Sequence, residues 1–338
     1  MTTIKDIARA AGVSTATVSL ALRHHPRISQ ETTRKIAALA KKMNYRPDPM
    51  LQALNKRRWR NVQRETYCNI AFVTWFPNEQ KLFDDEFHGA AWKGAAQRAE
   101  AMGYAMRPFC VNTDPETQKR QVRKLLAQGV RGLLIGGNYK SIPRLHFDWS
   151  KFASITIGLN LKAPRFHTVR FDHRADMETA CRELRHRKYK RVGFCVLRSV
   201  DIREEHVWRS TFLFQSEHEV FEHTSVKVLE RTDQNITDWI KDETLDAVIF
   251  WDSYLLDSLI KQGLKIPEDV GFVSLRVGEN GESGMIKDGT SLGARAFDLL
   301  NLQIQTGMWG IPEIATNLQV PAVWQDGKTL RPQISAKT

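Results

Sequence analysis

The stretch Ser14-Thr15-Ala16-Thr17-Val18-Ser19-Leu20 sets four short hydroxyls beside small apolar groups, and no carboxylate occurs between Asp6 and Glu31. Short hydroxyls near helix N-termini suit phosphate oxygens, so Ser14, Thr17 and Ser19 are assigned to a nucleic-acid backbone, with Thr3, Arg23, Ser29, Thr32 and Tyr45 completing that set. Thr15, Ala16 and Leu20 would face base edges instead. Groups of that kind read thymine methyls and groove shape rather than making paired hydrogen bonds. Lys5 is the longest polar side chain placed to reach a base.

Recognition of this kind needs a scaffold. Ile4, Ile7, Ala8 and Ala11 share one helical face, with Thr3 available as N-cap and Gly12 as the stop. A second helix runs from Thr15 to about Leu22 with Val18 and Leu22 inward. Small Ala8 lets the two helices approach, and Val18 fills the wedge between them, which is helix-turn-helix spacing. Ser29 caps a third helix carrying Ile36, Leu39, Ala40 and Met43 on one face and ending near Asn44-Tyr45. In this geometry the second helix enters the major groove with Thr15, Ala16, Ser19, Leu20 and Arg23 outward.

Charge is distributed to match. Of the 338 residues, the first 64 hold 14 Lys and Arg against 3 Asp and Glu, a net of +11 within a formal total of +12. A basic block on a nearly neutral body reads as an anion-binding module carried by something else. The remainder is long enough for a large core, so two or three folded units are expected and disorder is not. Cys68, Cys110, Cys181 and Cys195 lack paired spacing and read as reduced core thiols; no metal or cofactor is expected. No run approaches the ~20 apolar residues of a membrane span. The polar, charged N-terminus is unlike an export signal, so the expected location is the cytoplasm, at the nucleoid.

The run TIKDIARAAGVSTATVSLALRHHPRISQETTRKIAALAKKMNYRPDPMLQAL, residues 3–54, resembles the DNA-binding headpiece of the lactose/galactose repressor (LacI/GalR) family. The resemblance implies a transcriptional regulator, a repressor that binds a palindromic double-stranded operator as a homodimer under control of a small-molecule effector. It further implies a hinge helix that folds on DNA, with Leu54 as a wedge in the minor groove and Leu51 against the partner's hinge. Pro47 breaks the third helix and Pro49 suits the first turn of a new one. A Met50–Asn55 helix is too short to stand alone in water, and an apolar wedge turns DNA deformability into specificity. Packing of Leu51 and Leu54 against the core is the competing reading. Leu20, Asp48 and the run Lys56-Arg57-Arg58-Trp59-Arg60 depart from the family pattern, so an operator sequence does not carry over. That basic run is a solvated linker or an extra phosphate grip.

From Cys68 onward short apolar runs alternate with amphipathic helical stretches in two series, the second beginning at Thr168–Phe171. Such alternation argues parallel sheets covered by helices. The expected fold is an all-α helix-turn-helix headpiece plus an α/β two-lobed periplasmic-binding-protein-like (type I) core. The core part of the family resemblance rests on Gln128–Ile135, Lys190-Arg191-Val192-Gly193, Ile266–Gly271 and Trp324-Gln325-Asp326-Gly327. It implies chain crossings near 168–171, 285–290 and 318–322, and a helix over Leu292–Thr306. Expected boundaries are 1–47 for the headpiece, 48–65 for hinge and linker, 66–330 for the core and 331–338 for a tail. Lobe 1 takes about 66–168 and 290–318; lobe 2 takes about 169–288 and 319–330.

Open α/β sheets bind ligands beyond the carboxyl ends of their strands. That selects Trp75, Phe76, Asn138, Asn160, Trp251, Asp252 and Arg276; Arg209 is placed there by its match to the family's effector-gripping arginine. Trp75 and Trp251 are equally suited to the core. Positions that grip sugar hydroxyls in the family read Leu159, Trp251 and Arg276 here. This favours a flatter or anionic effector held by Arg209 or Arg276, against a carbohydrate-derived ligand met from other loops.

Catalytic signatures are missing: there is no G-x-S-x-G, H-E-x-x-H, Walker loop or G-x-G-x-x-G, so the chain is not read as an enzyme. Asp84-Asp85-Glu86 reads as a solvated charge run. A free solute-binding protein has no use for residues 1–64. An architectural DNA-binding protein whose core takes no effector stays open. The short polar segment Arg331–Thr338 has no heptad pattern, which favours a dimer over a tetramer.

Overall fold

The computed structural model describes residues 4–22, 28–43, 69–112, 114–136, 145–158, 161, 163–217, 221–231 and 236–333. Helices α1 (Ile4–Ala11), α2 (Thr15–Ala21) and α3 (Gln30–Lys42) form the N-terminal part. Ile7, Ala8, Val18, Ala21, Ile36 and Ala40 make its core, with Ile4, Ala11, Leu22, Leu39 and Met43 packed around them. The faces predicted from periodicity are therefore the buried ones, and Ala21 joins them. Gly12 takes φ +64°, and a Cβ there would meet nothing within 4 Å, so glycine is needed for the backbone angle and not for space. The turn closes with the Val13 N–H donating to the Ala8 carbonyl at 3.1 Å.

The rest is built on two six-stranded sheets. The first contains β1 (Asn69–Thr74), β2 (Ala105–Cys110), β3 (Val130–Gly136), β4 (Ala153–Ile157), β5 (His167–Phe171) and β11 (Asn317–Val320) in the order β11-β5-β4-β3-β1-β2. The second contains β6 (Arg191–Leu197), β7 (His223–Leu229), β8 (Ala247–Phe250), β9 (Gly271–Ser274), β10 (Ser283–Ile286) and β12 (Val323–Gln325) in the order β12-β10-β9-β8-β6-β7. Strand β1 pairs in parallel with β2 and β3, as β6 does with β7 and β8, so the same topology occurs twice. Strand β12 runs antiparallel to β10. Fully buried strands such as Ala247–Phe250 read as continuous apolar runs, as expected where helices cover both sheet faces.

The helices following the strands are α4 (Glu79–Asp84), α5 (Glu86–Ala101), α6 (Pro115–Ala127), α7 (His173–His186), α8 (Arg198–Arg203), α9 (Val207–Glu217), α10 (Thr237–Asp242), α11 (Leu255–Lys261) and α12 (Gly289–Thr306). The chain divides into two compact units. The first holds 1–157, 161–168 and 293–316, and the second holds 158–160, 169–292 and 317–338. In the first unit Leu133, Ile135, Val73 and Phe152 are buried together; in the second Phe194, Phe212, Phe250 and Phe272 lie in one larger core. Burying each such side chain contributes roughly 1.5–3 kcal/mol. Gly293 on α12 allows a close helix approach, since a Cβ there would fall 1.8 Å from the Ala91 carbonyl oxygen on α5.

Four details differ from the sequence reading. The strand at Thr168–Phe171, placed at the head of the second series, belongs to the first sheet: its Val169 carbonyl accepts from the Gly158 N–H at 2.9 Å, and the Thr168 N–H donates to Thr316 O at 2.9 Å. Alternation identifies a strand but not the sheet it joins. The loop Ser199–Glu205 contains the short helix α8. Asp85 is not a solvated loop residue but the N-cap of α5, its carboxylate accepting from the His88 N–H. Helix α12 starts at Gly289, three residues before the expected Leu292, because Asp288 accepts the Thr290 N–H at 2.8 Å.

Candidate functional site

In the helix-turn-helix, Val18 and Ala21 point inward, which leaves Ser14, Thr15 and Ala16 exposed at the start of α2 and Thr17, Ser19 and Leu20 half-buried beside them. Lys5 on α1 is exposed. Ser14 Oγ accepts from the Thr17 N–H at 3.0 Å and lies 2.9 Å from the Thr17 hydroxyl. The same box recurs at α3, where Ser29 Oγ accepts from the Thr32 N–H at 3.2 Å and lies 2.8 Å from the Thr32 hydroxyl. Ser29 was expected both as the cap of the third helix and on a phosphate, and Ser14 on a phosphate; the structure makes each a helix cap. Two hydroxyls carry two hydrogens and use one between them. Each box thus retains one O–H to donate outward, beside the positive end of a helix. Thr3, Arg23, Tyr45, Leu51 and Leu54 lie outside the described residues, as do Asn138 and Asn160.

The remaining effector candidates divide between the units. In the first, Trp75 packs against the core, and the Phe76 ring meets His88 edge-on at 5.3 Å. In the second, Trp251 is 6 % exposed within the core and stands edge-on to Tyr254 at 5.6 Å. Asp252 and Arg276, at the ends of β8 and β9, are brought together with a 2.7 Å ion pair. Arg209 pairs with the buried Asp201 carboxylate at 3.1 Å, which also holds His206 at 2.9 Å. Both arginines expected to grip an anion therefore already have a carboxylate, which weakens the electrostatic case for an anionic ligand.

A cluster that sequence reasoning missed lies in the second unit. The Lys287 side chain, 6 % exposed, places Nζ 3.2 Å from Asp176 Oδ2 and 4.5 Å from the centre of the Trp208 ring. His173 Nε2 is 3.0 Å from Glu204 Oε2, and Arg203 Nε is 2.8 Å from Glu204 Oε1. Burial disfavours the charge on Lys287 and pulls its pKa down, although the Asp176 and Glu204 carboxylates oppose that. Burial pushes the Asp176 pKa up, but Lys287 and His173 outweigh it and hold the group below the usual carboxylate range. For Glu204 burial is likewise outweighed by His173 and Arg203, which hold it at about 2. The partners come from segments far apart in sequence, so spacing carried no signal; only His173 and Asp176, three apart at a helix start, hinted at a pair.

Among the described residues no group of His, Cys, Asp or Glu could hold a metal ion, and no helix is long and apolar enough to cross a membrane. Burial pushes the Cys181 and Cys195 thiols up to about 12, which makes them inert core groups.

Comparison with known proteins places these features. Residues 3–48 match the model for bacterial regulatory proteins of the lacI family, and residues 79–205 match the model for periplasmic binding proteins and the sugar binding domain of the LacI family. The chain is similar to the HTH-type transcriptional regulator KdgR of Bacillus subtilis, with 29% identity over 51% of this chain and 48% of that protein. It is also similar to the ribose operon repressor of Escherichia coli K12, with 26% identity over 45% of this chain and 46% of that protein. The matches span about half the length of these curated relatives. In fold it is similar to the lac repressor dimer bound to operator and the anti-inducer ONPF (TM-score 0.56, 18% identity, 98% of this chain and 99% of that one). A comparable likeness is to the transcriptional regulator CelR in complex with cellobiose (TM-score 0.57, 17% identity, 97% of this chain and 100% of that one). With a helix-turn-helix headpiece, a two-sheet α/β core and matches to both family models, the chain belongs to the LacI family of bacterial regulatory proteins.

Proposed function

We propose that this chain is a sequence-specific DNA-binding transcriptional regulator, a repressor that acts in the cytoplasm as a homodimer on a near-palindromic operator. The observation that carries this reading is the exposed Ser14-Thr15-Ala16 edge of α2, with the same hydroxyl cap at the starts of α2 and α3, in a segment of net charge +11. Backbone contacts through Ser14, Thr17, Ser19, Ser29 and Thr32 set the register, while Thr15, Ala16, Leu20 and Lys5 read bases. Thr3, Arg23 and Tyr45 add phosphate contacts. Residues 48–65 serve as hinge and linker, with Leu54 as the minor-groove wedge and Leu51 at the partner hinge. No catalytic role is assigned.

The core binds a small effector through its differential affinity for two states of the chain, so effector and operator affinities are reciprocally linked. Trp75, Phe76, Asn138, Asn160, Arg209, Trp251, Asp252 and Arg276 are the residues assigned to that role. The Asp252–Arg276 pair offers an acceptor and a donor side by side, which suits a neutral polar, carbohydrate-derived ligand better than a bare anion. Footprinting with the full chain tests the DNA reading: a protected near-palindromic site is expected, and a strictly asymmetric or sequence-indifferent footprint overturns it. Operator affinity indifferent to every metabolite of a broad panel would point to an architectural protein without an effector.

A further inference from the structure

A groove of about 520 Å³ opens on the first unit, along the outer strand β2 and the helix α6 that follows it. That is within the range of small-molecule sites, ~300–1,000 Å³. Its floor is apolar, with Ala71 on β1, Phe109 on β2 and Leu125 on α6. Asn69 and Val130, the first residues of β1 and β3, also border it. The groove therefore begins at the amino ends of the strands, the end opposite Trp75 and Phe76.

Two cations border this floor at the same height. Arg107 is level with Ala71 in the pairing of β1 with β2. Lys124 stands one helical turn before Gln128, whose carbonyl accepts from the Asn69 side chain at 2.6 Å. One turn of helix matches about two residues of strand, which brings Lys124 level with Ala71 and Arg107. Among the described residues neither side chain has an ion pair or a hydrogen bond. The other cations of α6 all have acceptors: Lys119 pairs with Glu116 at 2.8 Å, Arg120 bonds the Thr117 hydroxyl at 3.1 Å and Arg123 bonds the Lys119 carbonyl at 3.4 Å. The one carboxylate lining the groove, Glu79, is remote from the two cations. Burial and then the Glu79 charge push up the pKa of the Cys110 thiol, which closes β2. Cys110 is about 10 Å along the strand from Arg107.

We propose that this groove is a second small-molecule site, which takes an amphipathic anion. The apolar body lies on Phe109 and Leu125, and a carboxylate or similar head lies between Arg107 and Lys124. The body leaves water on the floor, while the head gains charge-assisted hydrogen bonds at a rim open enough to spare it full dehydration. A neutral molecule of the same shape lacks the second contribution, and a cation is repelled by both side chains. A strand from another chain fits less well. The Val111 N–H donates to the Thr74 carbonyl, so by alternation Arg107 and Phe109 turn their backbone toward β1 and the Pro108 nitrogen faces outward. There it withholds a donor that an added strand would use.

Calorimetric titration of the full chain with three probes that share one body tests the site: 2-naphthoate, 2-naphthalenemethanol and 2-naphthylmethylammonium. Saturable binding of 2-naphthoate is expected, about ten-fold or more tighter than either of the others and weaker as salt is raised. Arg107→Gln combined with Lys124→Gln, both at exposed positions, should bring 2-naphthoate down to the affinity of the alcohol without changing the melting temperature. Arg276→Ala, run alongside, should leave 2-naphthoate binding unchanged. Absence of saturable 2-naphthoate binding overturns the site. So does equal binding of the alcohol or the ammonium, an affinity that the double substitution leaves intact, or a loss in Arg276→Ala that assigns the probe to the effector residues. Operator binding does not enter the titration, so failure of the regulator reading would show separately, in the footprint.

Discussion

The Arg276 guanidinium and the Asp252 carboxylate face each other 2.7 Å apart at the carboxyl ends of the adjacent parallel strands β9 and β8. The pair is partly open, with Arg276 38 % exposed, so it is available to share its hydrogen bonds with a ligand. Because each member neutralises the other, substitution of one changes the charge that a ligand meets. Calorimetry with a neutral polar effector should show an affinity loss of about ten-fold for both Arg276→Ala and Asp252→Asn, the scale of one charge-assisted hydrogen bond. An affinity gain for an anionic ligand in Asp252→Asn, with indifference to neutral ones, would reverse the assignment.

The paired hydroxyl boxes predict a double effect. Ser14→Ala and Ser29→Ala each remove a helix cap, costing about 1 kcal/mol of headpiece stability. Each also removes a phosphate donor, so specific and non-specific DNA affinity should fall together. Thermal unfolding followed by circular dichroism, alongside binding to operator and random duplexes, checks this; loss of operator affinity alone would move these serines to base recognition.

Leu54→Ala separates wedge from packing. Operator affinity should weaken by about 1–3 kcal/mol while non-specific affinity is nearly retained, because only a bent, kinked site uses the wedge. Equal loss of both contradicts the hinge role. Replacing Lys56, Arg57, Arg58 and Arg60 together by Ala should flatten the slope of log affinity against log salt if these residues touch phosphates. An unchanged slope leaves them as a solvated linker.

The buried carboxylates predict acid sensitivity of the second unit. The Glu204 pKa is held at about 2 and that of Asp176 is lowered, so both are depressed below their unfolded values. Their stabilising contribution is present above the usual carboxylate range, roughly pH 4, and is lost as pH falls towards the folded value. Lys287 runs the other way: its depressed pKa means that the folded unit gains stability as pH rises between the folded and unfolded values. Melting temperature against pH should therefore fall steeply below about pH 4. Glu204→Gln should have a lower plateau and a shallower acid limb; an acid limb identical to wild type would show that Glu204 contributes no linkage.

The headpiece was legible because its information is local. Apolar spacing, the caps at Ser14 and Ser29 and the left-handed turn at Gly12 act over three or four residues, and the structure buries the faces that this spacing marks. The alternation of strands and helices in the core was legible for the same reason, including β3 and β6, whereas the helix ending at Thr306 was implied by the family resemblance. Asp85 was misread because a capping carboxylate and a solvated one look alike in a charge run.

What the residues alone determined is thus the class of molecule: a basic three-helix reader of DNA joined to a two-sheet core. Tertiary structure decided which charges are spent internally. It placed β5 in the first sheet, sank Trp251 into the second core and gave Arg209, Arg276 and Lys287 their carboxylates. Lys287 and Asp176 are 111 residues apart in sequence, and neither carries a local mark of the other. Their pairing exists only because the folded sheet and helices exclude water around them, where an ion either finds its counter-charge or is not tolerated.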